Sequence, residues 1–440
     1  MTKLKTFPLG GIHPDKYKIT TDSPVVFAGL PDVVTIPVKQ HIGSPAKILV
    51  SPGDKVKVGT LIADADGIVS SDVHSSVSGE VLKVEAIEGE FGYLEDMITI
   101  KVEGDEFEPS IDRSLDIDRE IPYTAQEIVA KIREAGIVGM GGAGYPTPIK
   151  TSIPEDKNVD ILIVNGIECE PFLTADDRLM VEKAEQIIIG AKIINKALGI
   201  QNAIIAIDEN KPKAIEVLSK LTKTYVGVNV QVCATKYPQG GEKQLITAIT
   251  GREVPSGKLP ADAGCLVQNV GTVFAIYEAI MKNKPLFERI VTVSGDTCLH
   301  PANYLVRIGT PASYLIEKSG GITPETSQVI FGGPMMGTSA FNINAPITKT
   351  TSGILLLSDK IAGKCAETDC IRCGKCTEVC PIGLQPYLIA RLMKNHQISE
   401  LKDCHALDCI ECGCCAYTCP AHIPLLDYCK LAKMELRKKN

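Results

Sequence analysis

The chain has 440 residues, 44% hydrophobic and 5% aromatic with no tryptophan, and a formal net charge of −7. That length accommodates roughly two to four domains, and an acidic balance without a basic run interleaved with aromatics excludes a nucleic-acid surface. No apolar stretch approaches the roughly 20 residues that span a bilayer, and Met1-Thr-Lys-Leu-Lys lacks the core of a signal peptide, so the chain reads as cytoplasmic, free to dock on a membrane complex.

Residues 1–32 read as an extended arm, punctuated by Gly10-Gly11-Ile12-His13-Pro14, Ser23-Pro24 and Leu30-Pro31, with little helix or regular strand expected. His13, beside a proline, reads as a loop residue. Residues 33–105 alternate apolar and polar residues between Gly/Pro turns, the pattern of short strands. Pro52-Gly53-Asp54 to Ile62-Ala63, followed by Val73-His74 to Val81, resembles the lipoyl/biotinyl barrel-sandwich hybrid. Carriers of that family hold a lysine at the hairpin tip, and here the tip is Asp64-Ala65-Asp66-Gly67. The resemblance therefore implies a scaffold or docking role, with His74 as a structural turn residue.

A charged linker, 103–120, leads to a helix whose capping box is Thr124 and Glu127 and whose end is marked by Gly136. Next comes Gly139-Met140-Gly141-Gly142-Ala143-Gly144-Tyr145-Pro146-Thr147-Pro148-Ile149-Lys150. Glycines there let backbone N–H groups approach a phosphate or flavin ring where a Cβ would intrude; a plain turn is the alternative, and no Walker pattern is present. A buried-strand run, 159–164, feeds Asn165-Gly166-Ile167-Glu168-Cys169-Glu170-Pro171. Helix 179–198, strand 203–207 and helix 211–221 continue the alternation, which predicts a parallel sheet. Tyr237 to Leu245 opens another helix, and Gln268-Asn269-Val270-Gly271-Thr272 precedes a helix over 273–281. Residues 286–358 read as a small β-rich unit that contains a Gly332-Gly333-Pro334-Met335-Met336-Gly337 turn.

The remainder, 359–440, holds 12 of the 16 cysteines, counted from Cys365. Two runs repeat one pattern: Cys370, Cys373, Cys376, Cys380-Pro381, and Cys409, Cys412, Cys415, Cys419-Pro420. Two-residue gaps let three thiolates reach adjacent corners of a cubane cluster, and in the bacterial two-cluster arrangement the fourth cysteine of each run serves the other cluster. On that pattern one [4Fe-4S] cluster takes Cys370, Cys373, Cys376 and Cys419, and the other takes Cys409, Cys412, Cys415 and Cys380. Structural zinc uses four ligands, usually as two pairs, and has no use for a doubled three-plus-one run. Cys365, Cys404, Cys414 and Cys429 are extras, His405 and His422 match no ligand spacing, a helix is predicted over 385–394, and the basic tail, 430–440, reads as a solvated helix end.

The glycine loop, the Asn-x-x-Glu-x-Glu-Pro turn, the Gly241-Glu242 helix start and the Asn269-Val270 segment resemble the flavin- and NADH-binding subunit of respiratory complex I. With the Gly10–Pro14 arm, the Gly332–Gly337 loop and the two-cluster module, the whole chain resembles the RnfC family, a subunit family of the Rnf complexes, the membrane-bound, ion-translocating ferredoxin:NAD oxidoreductases. That resemblance implies an α/β multidomain fold: a barrel-sandwich hybrid at 33–105, an FMN/NADH-binding α/β domain at 121–285, a β-grasp domain at 286–358 and a ferredoxin-like domain at 359–440. It implies non-covalent FMN against Gly139, Gly141, Gly142, Ala143 and Gly144 with Lys150 near its phosphate, and Asn165, Glu168, Glu170, Glu242 and Asn269 lining the flavin and nicotinamide pocket. Complex I has Arg where this chain has Met140 and Asp where it has Ile167, so contacts at those two positions differ. The implied partners are the other Rnf subunits, NAD(H), and ferredoxin through a partner subunit, with the chain peripheral on the cytoplasmic side of the membrane. A flavin joins hydride chemistry, two electrons at once, to one-electron clusters, and no side chain need act as nucleophile or acid/base. Two other readings are a soluble cobalamin reductase of the propanediol-utilisation type and a non-catalytic iron–sulfur relay.

Overall fold

The computed structural model describes residues 4–438 apart from 155 and 364. Its N-terminal strands form two small sheets. One runs Val33–Pro37, Leu94–Gly104, Ser78–Glu88 and Lys55–Val56, and the other Lys47–Ile48, Leu61–Asp64 and Val73–His74. The period-2 pattern does this: Val34, Ile36, Val81, Ile98 and Ile100 are all fully buried on one side, with polar neighbours between them. His74 lies inside this domain at 6% exposure.

A capping box opens the helix Ala125–Glu134, with Glu127 N–H donating to Thr124 Oγ1 at 3.3 Å and Thr124 N–H to Glu127 Oε2 at 2.7 Å. The central sheet is wholly parallel, in the order Val228–Cys233, Ala203–Asp208, Ile161–Gly166, Cys265–Asn269. Helix Ala184–Leu198 crosses it against Val270–Met281. Gly190 is required there, because a Cβ would meet the Val273 carbonyl oxygen at 2.3 Å. The single helix expected over 179–198 is two, Ala175–Glu182 and Ala184–Leu198, broken at Lys183. The first packs on Pro212–Leu221 and the strand Glu288–Ser294, the second on Val270–Met281, and one straight axis cannot serve both.

The arm holds little regular strand, as expected, but the three-residue strand it does form is paired with a distant domain. Val25–Phe27 pairs in parallel with Ala302–Arg307, at the edge of a six-stranded sheet that continues through Glu288–Ser294, Gly353–Ser358, Thr326–Phe331 and Thr338–Ser339. Lys5 bridges to Cys233 and Ile12 to Tyr237, while Gly11 N–H donates to the Val379 carbonyl at 2.8 Å. Local turns satisfy part of the arm's backbone, such as Ser23 N–H on the Thr20 carbonyl at 3.0 Å, and edges that other domains supply satisfy the paired stretches. The C-terminal module stacks Pro386–Lys394 on Leu425–Lys438 behind two short helices, Lys375–Glu378 and Cys414–Tyr417. Among the described residues no helix is long and apolar enough to cross a membrane.

Burial, with Lys349 nearby, lowers the His74 imidazole to about 3. An unfolded histidine titrates near ~6.5, so below that pH the unfolded chain takes a proton that the folded chain refuses. Stability is therefore lost as pH falls from about 6.5 towards about 3, by on the order of a few kcal/mol. Acid unfolding followed by circular dichroism should show this limb flattened in His74→Asn; superimposable curves would assign it to other groups.

Candidate functional site

In the central sheet the chain steps from Ile161–Gly166 outward to Ala203–Asp208 and Val228–Cys233, then returns to place Cys265–Asn269 on the other side of Ile161–Gly166. The switch in direction therefore falls between these two central strands, where open α/β sheets bind ligands beyond the strands' carboxyl ends. Asn165 and Asn269 are register partners at that edge. The glycine loop is pinched by a Val138–Pro146 bridge, with Gly139 N–H donating to the Tyr145 carbonyl at 2.9 Å, and it hangs over the same edge. Gly141, Gly142 and Ala143 are exposed, and Gly144 is buried. A Cβ on Gly141 would lie 3.1 Å from that of Asn269, whereas Gly142, at φ +131°, has nothing within 4 Å of its Cβ position. The loop thus offers bare backbone to an open space, the shape that close approach of a flat ring or phosphate requires.

Asn269 caps the helix Val270–Met281 through Oδ1, which accepts from Gly271 N–H at 2.8 Å, while its Nδ2 donates to Asp176 Oδ2 at 2.8 Å. Burial, and then Glu168, holds the Asp176 carboxyl well above the usual range. Asn165 donates to the Gly240 carbonyl at 2.9 Å. Lys150 and Glu242 pair at 2.7 Å on the rim, both partly exposed, and Lys150 also donates to the Val267 carbonyl at 3.2 Å. Met140 and Ile167, which replace the charged pair of complex I, are both buried, and Ile167 joins an apolar cluster with Leu245 and Val267.

Glu168 and Glu170 are committed to partners inside the chain. Glu168 accepts from Asp176 N–H at 2.8 Å and faces Lys211 at 3.8 Å and Lys18 at 4.0 Å. Lys18, from the arm, also donates to the carbonyls of Glu168, Glu170 and Leu173, and burial, with Lys211 second, lowers its ammonium to about 8. Glu170 accepts from Met335 N–H at 2.9 Å and Met336 N–H at 3.0 Å, and burial raises its carboxyl to about 7. Gly333 is forced by this contact, since a Cβ would sit 2.3 Å from the Glu170 carboxylate. The Gly332–Gly337 loop therefore lies against the Asn165–Pro171 turn. On its far side Met335 reaches Gly413, and Tyr237 donates to the Cys412 carbonyl at 2.7 Å.

The cysteines fall into two surroundings. Cys380, Cys409, Cys412 and Cys415 line one cavity, together with Gly413, Cys414 and Cys429. Cys376 and Cys419 pack with Ala390 on the other side, Cys415 bordering both groups, and Cys370 and Cys373 are exposed. The fourth cysteine of the first run thus stands with three of the second. Backbone conformation repeats with the motif: Arg372 and Glu411 have φ +56° and +58°, Gly374 and Gly413 +79° and +78°. Among the described residues no three His, Cys, Asp or Glu side chains close on a single-ion position. Four thiols spread around a cavity fit a bulky multi-iron cluster, with Leu384 and Glu411 N–H groups already directed at Cys380 and Cys409 sulfurs. Cys365 is exposed, Cys404 half-buried, and His405 and His422 occupy left-handed turns.

Comparison with known proteins accounts for this arrangement. Residues 5–106 match the RnfC barrel sandwich hybrid domain, 132–278 the Nuo51 FMN-binding domain and 290–339 the SLBB domain. The chain is 45% identical, over 91% of its length and 87% of the relative's, to the C subunit of the proton-translocating ferredoxin:NAD(+) oxidoreductase complex of Clostridium ljungdahlii. It is 44% identical, over 97% and 96%, to the C subunit of the Na(+)-translocating ferredoxin:NAD(+) oxidoreductase complex of Acetobacterium woodii. The chain belongs to this RnfC family. Membership in it, rather than in the cobalamin reductases, agrees with the Gly10–Pro14 arm and the Gly332–Gly337 loop, and it brings an FMN-binding domain and a cysteine-rich cluster module. An NAD+-reducing [NiFe]-hydrogenase shares the fold at a TM-score of 0.51 and 17% identity, covering 73% of this chain and 62% of that one.

Residues that sequence reasoning missed are Lys18, Lys211, Asp176 and Tyr237. Asp176 lies eight residues from Glu168, whereas Lys18, Lys211 and Tyr237 meet partners distant in sequence, which motif spacing does not reveal. Lys18→Met removes a cation facing Glu168 and leaves three carbonyls without their donor, which should cost on the order of 3 kcal/mol, read by urea unfolding of the full chain; a change below about 0.5 kcal/mol would show the turn to be held by Lys211 alone.

Proposed function

We propose that this chain is the NAD(H)-interacting subunit of a ferredoxin:NAD oxidoreductase complex, carrying electrons between NAD(H), FMN and two [4Fe-4S] clusters and on to membrane partners. The observation that carries this reading is the juxtaposition of a bare glycine loop at the sheet's switch point with a thiol-lined cavity, separated by the Glu170–Met335 contact and Tyr237. FMN, when bound, supplies the exchange between hydride and single electrons. The chain's own residues hold and place it: Gly139, Gly141, Gly142, Ala143 and Gly144 offer backbone, Lys150 offers a cation for the phosphate, and Asn165, Asp176, Glu242 and Asn269 frame the pocket. Glu168 and Glu170 support the pocket floor from within and keep the turn rigid.

The four thiols beside Tyr237 and Met335 would hold the inner cluster. Cys370, Cys373, Cys376 and Cys419 would hold the outer one, whose exposed loop faces the partner that exchanges single electrons. The two relatives named above carry different ions in their names at nearly equal identity, which supports assigning ion choice to the membrane subunits. The chain would sit peripherally on the cytoplasmic face, bound to those subunits and reaching ferredoxin only through one of them.

Flavin released by acid denaturation should amount to about one per chain, with about eight iron and eight sulfide. Clusters without flavin, and without NADH-dependent dye reduction, would leave a relay subunit only. Asn269→Ala should lower flavin content while costing about 1 kcal/mol of stability through the lost cap. Cys380→Ser and Cys419→Ser should each disturb one cluster, and a different one, in electron paramagnetic resonance spectra; loss of the same signal in both would refute the crossed ligand sets.

A further inference from the structure

The two cysteine runs are copies offset by 39 residues, Cys370 to Cys409, yet the helices behind them differ. At the inner site Cys429, on Leu425–Lys438, lines the cavity with Cys380, Cys409, Cys412 and Cys415 and is 1% exposed. It packs with Cys380 and Cys409 in one buried cluster. The matching position at the outer site, on Pro386–Lys394, is Ala390, which packs against Cys376 and Cys419 and has no donor to offer.

One turn beyond Cys429, the Lys433 side chain is 11% exposed and donates to the Cys409 carbonyl at 2.8 Å while pairing with Glu411. Its counterpart, Lys394, is far more open at 44% side-chain exposure. It turns away to Glu367 and the Tyr428 ring, 5.2 Å from its centroid. Among the described residues the inner site therefore has a buried thiol and a buried ammonium against its ligand loop, whereas the matching outer positions are an alanine and an exposed lysine.

Reduction adds negative charge to a cluster, so hydrogen bonds to its sulfurs and nearby cations raise its potential, and removal from water lowers it. A thiol is a weak donor, but a thiolate or sulfide is a ready acceptor. Resting on the cluster assignment above, we propose that Cys429 and Lys433 selectively raise the reduction potential of the inner cluster. They offset the lowering that its burial imposes and keep it within reach of the water-exposed outer cluster. Electrons could then pass between the two in either direction without a large step.

The test is an anaerobic potentiometric titration of the full chain, read by electron paramagnetic resonance, with Cys380→Ser identifying the inner signal. Cys429→Ala and Lys433→Met should each move the inner midpoint to more negative values and leave the outer one in place, and Cys429→Ser, which keeps a donor, should return it towards the wild-type value. Ala390→Cys should move the outer midpoint the opposite way, to more positive values. Unmoved midpoints, or equal shifts in both clusters, would overturn the proposal. So would loss of about half the iron in Cys429→Ala, which would make Cys429 a ligand. A wild-type chain holding fewer than two clusters would instead count against the underlying assignment.

Discussion

Burying Glu168 and Glu170 on one short turn demands cations and N–H donors from outside it, because an uncompensated carboxylate in a low-dielectric interior is costly. The chain meets that demand from four directions. Lys18 comes from the arm, Lys211 from the neighbouring βα junction, the Asp176 N–H from the next helix, and the Met335 and Met336 N–H groups from the Gly332–Gly337 loop. Each partner belongs to a different stretch of sequence, so satisfying one turn ties the arm and the β-grasp sheet to the flavin domain. The same turn ends the strand whose carboxyl edge carries Asn165, so electrostatic need and ligand placement meet at one point.

The remaining joints follow a similar logic. Lys349, buried beneath the glycine loop's approach, donates to the carbonyls of Asp72 and Gly136 at 2.6 and 2.8 Å, linking the barrel-sandwich domain to the first helix. Burial lowers its ammonium to about 7, and backbone carbonyls rather than a paired acid keep it satisfied. Tyr237 performs the corresponding task at the cluster module by reaching the Cys412 carbonyl. The Tyr237 contact holds the thiol-lined cavity beside the flavin domain, and both joints act through backbone oxygens whose positions do not depend on side-chain rotamers.

A duplicated motif placed against unequal neighbours becomes two unequal sites. The loops around Cys370 and Cys409 share backbone conformation to within a few degrees at their left-handed residues. One is enclosed by the arm, Tyr237 and the Leu425–Lys438 helix, and the other opens to water. Local geometry is inherited by each copy, whereas burial, donors and charge are set by what packs against it.

Local chemistry by itself determined the cysteine runs, the glycine loop, the Thr124–Glu127 cap, the missing lysine at the 64–67 tip and the alternation that makes the sheet parallel. These signals act over a few residues, through spacing, φ restriction or hydrogen bonds to near neighbours, and so they are written in order along the chain. Tertiary structure alone decided that Val25–Phe27 is a strand, that the helix breaks at Lys183, and that Glu168 and Glu170 turn inward. It also chose Lys18, Lys211, Asp176 and Tyr237 as partners, and Ala390 and Cys429 as unlike neighbours of like motifs. In nearly all of these cases the stabilising group lies far along the sequence, and neither periodicity nor motif spacing carries information about which distant surface will be packed against it.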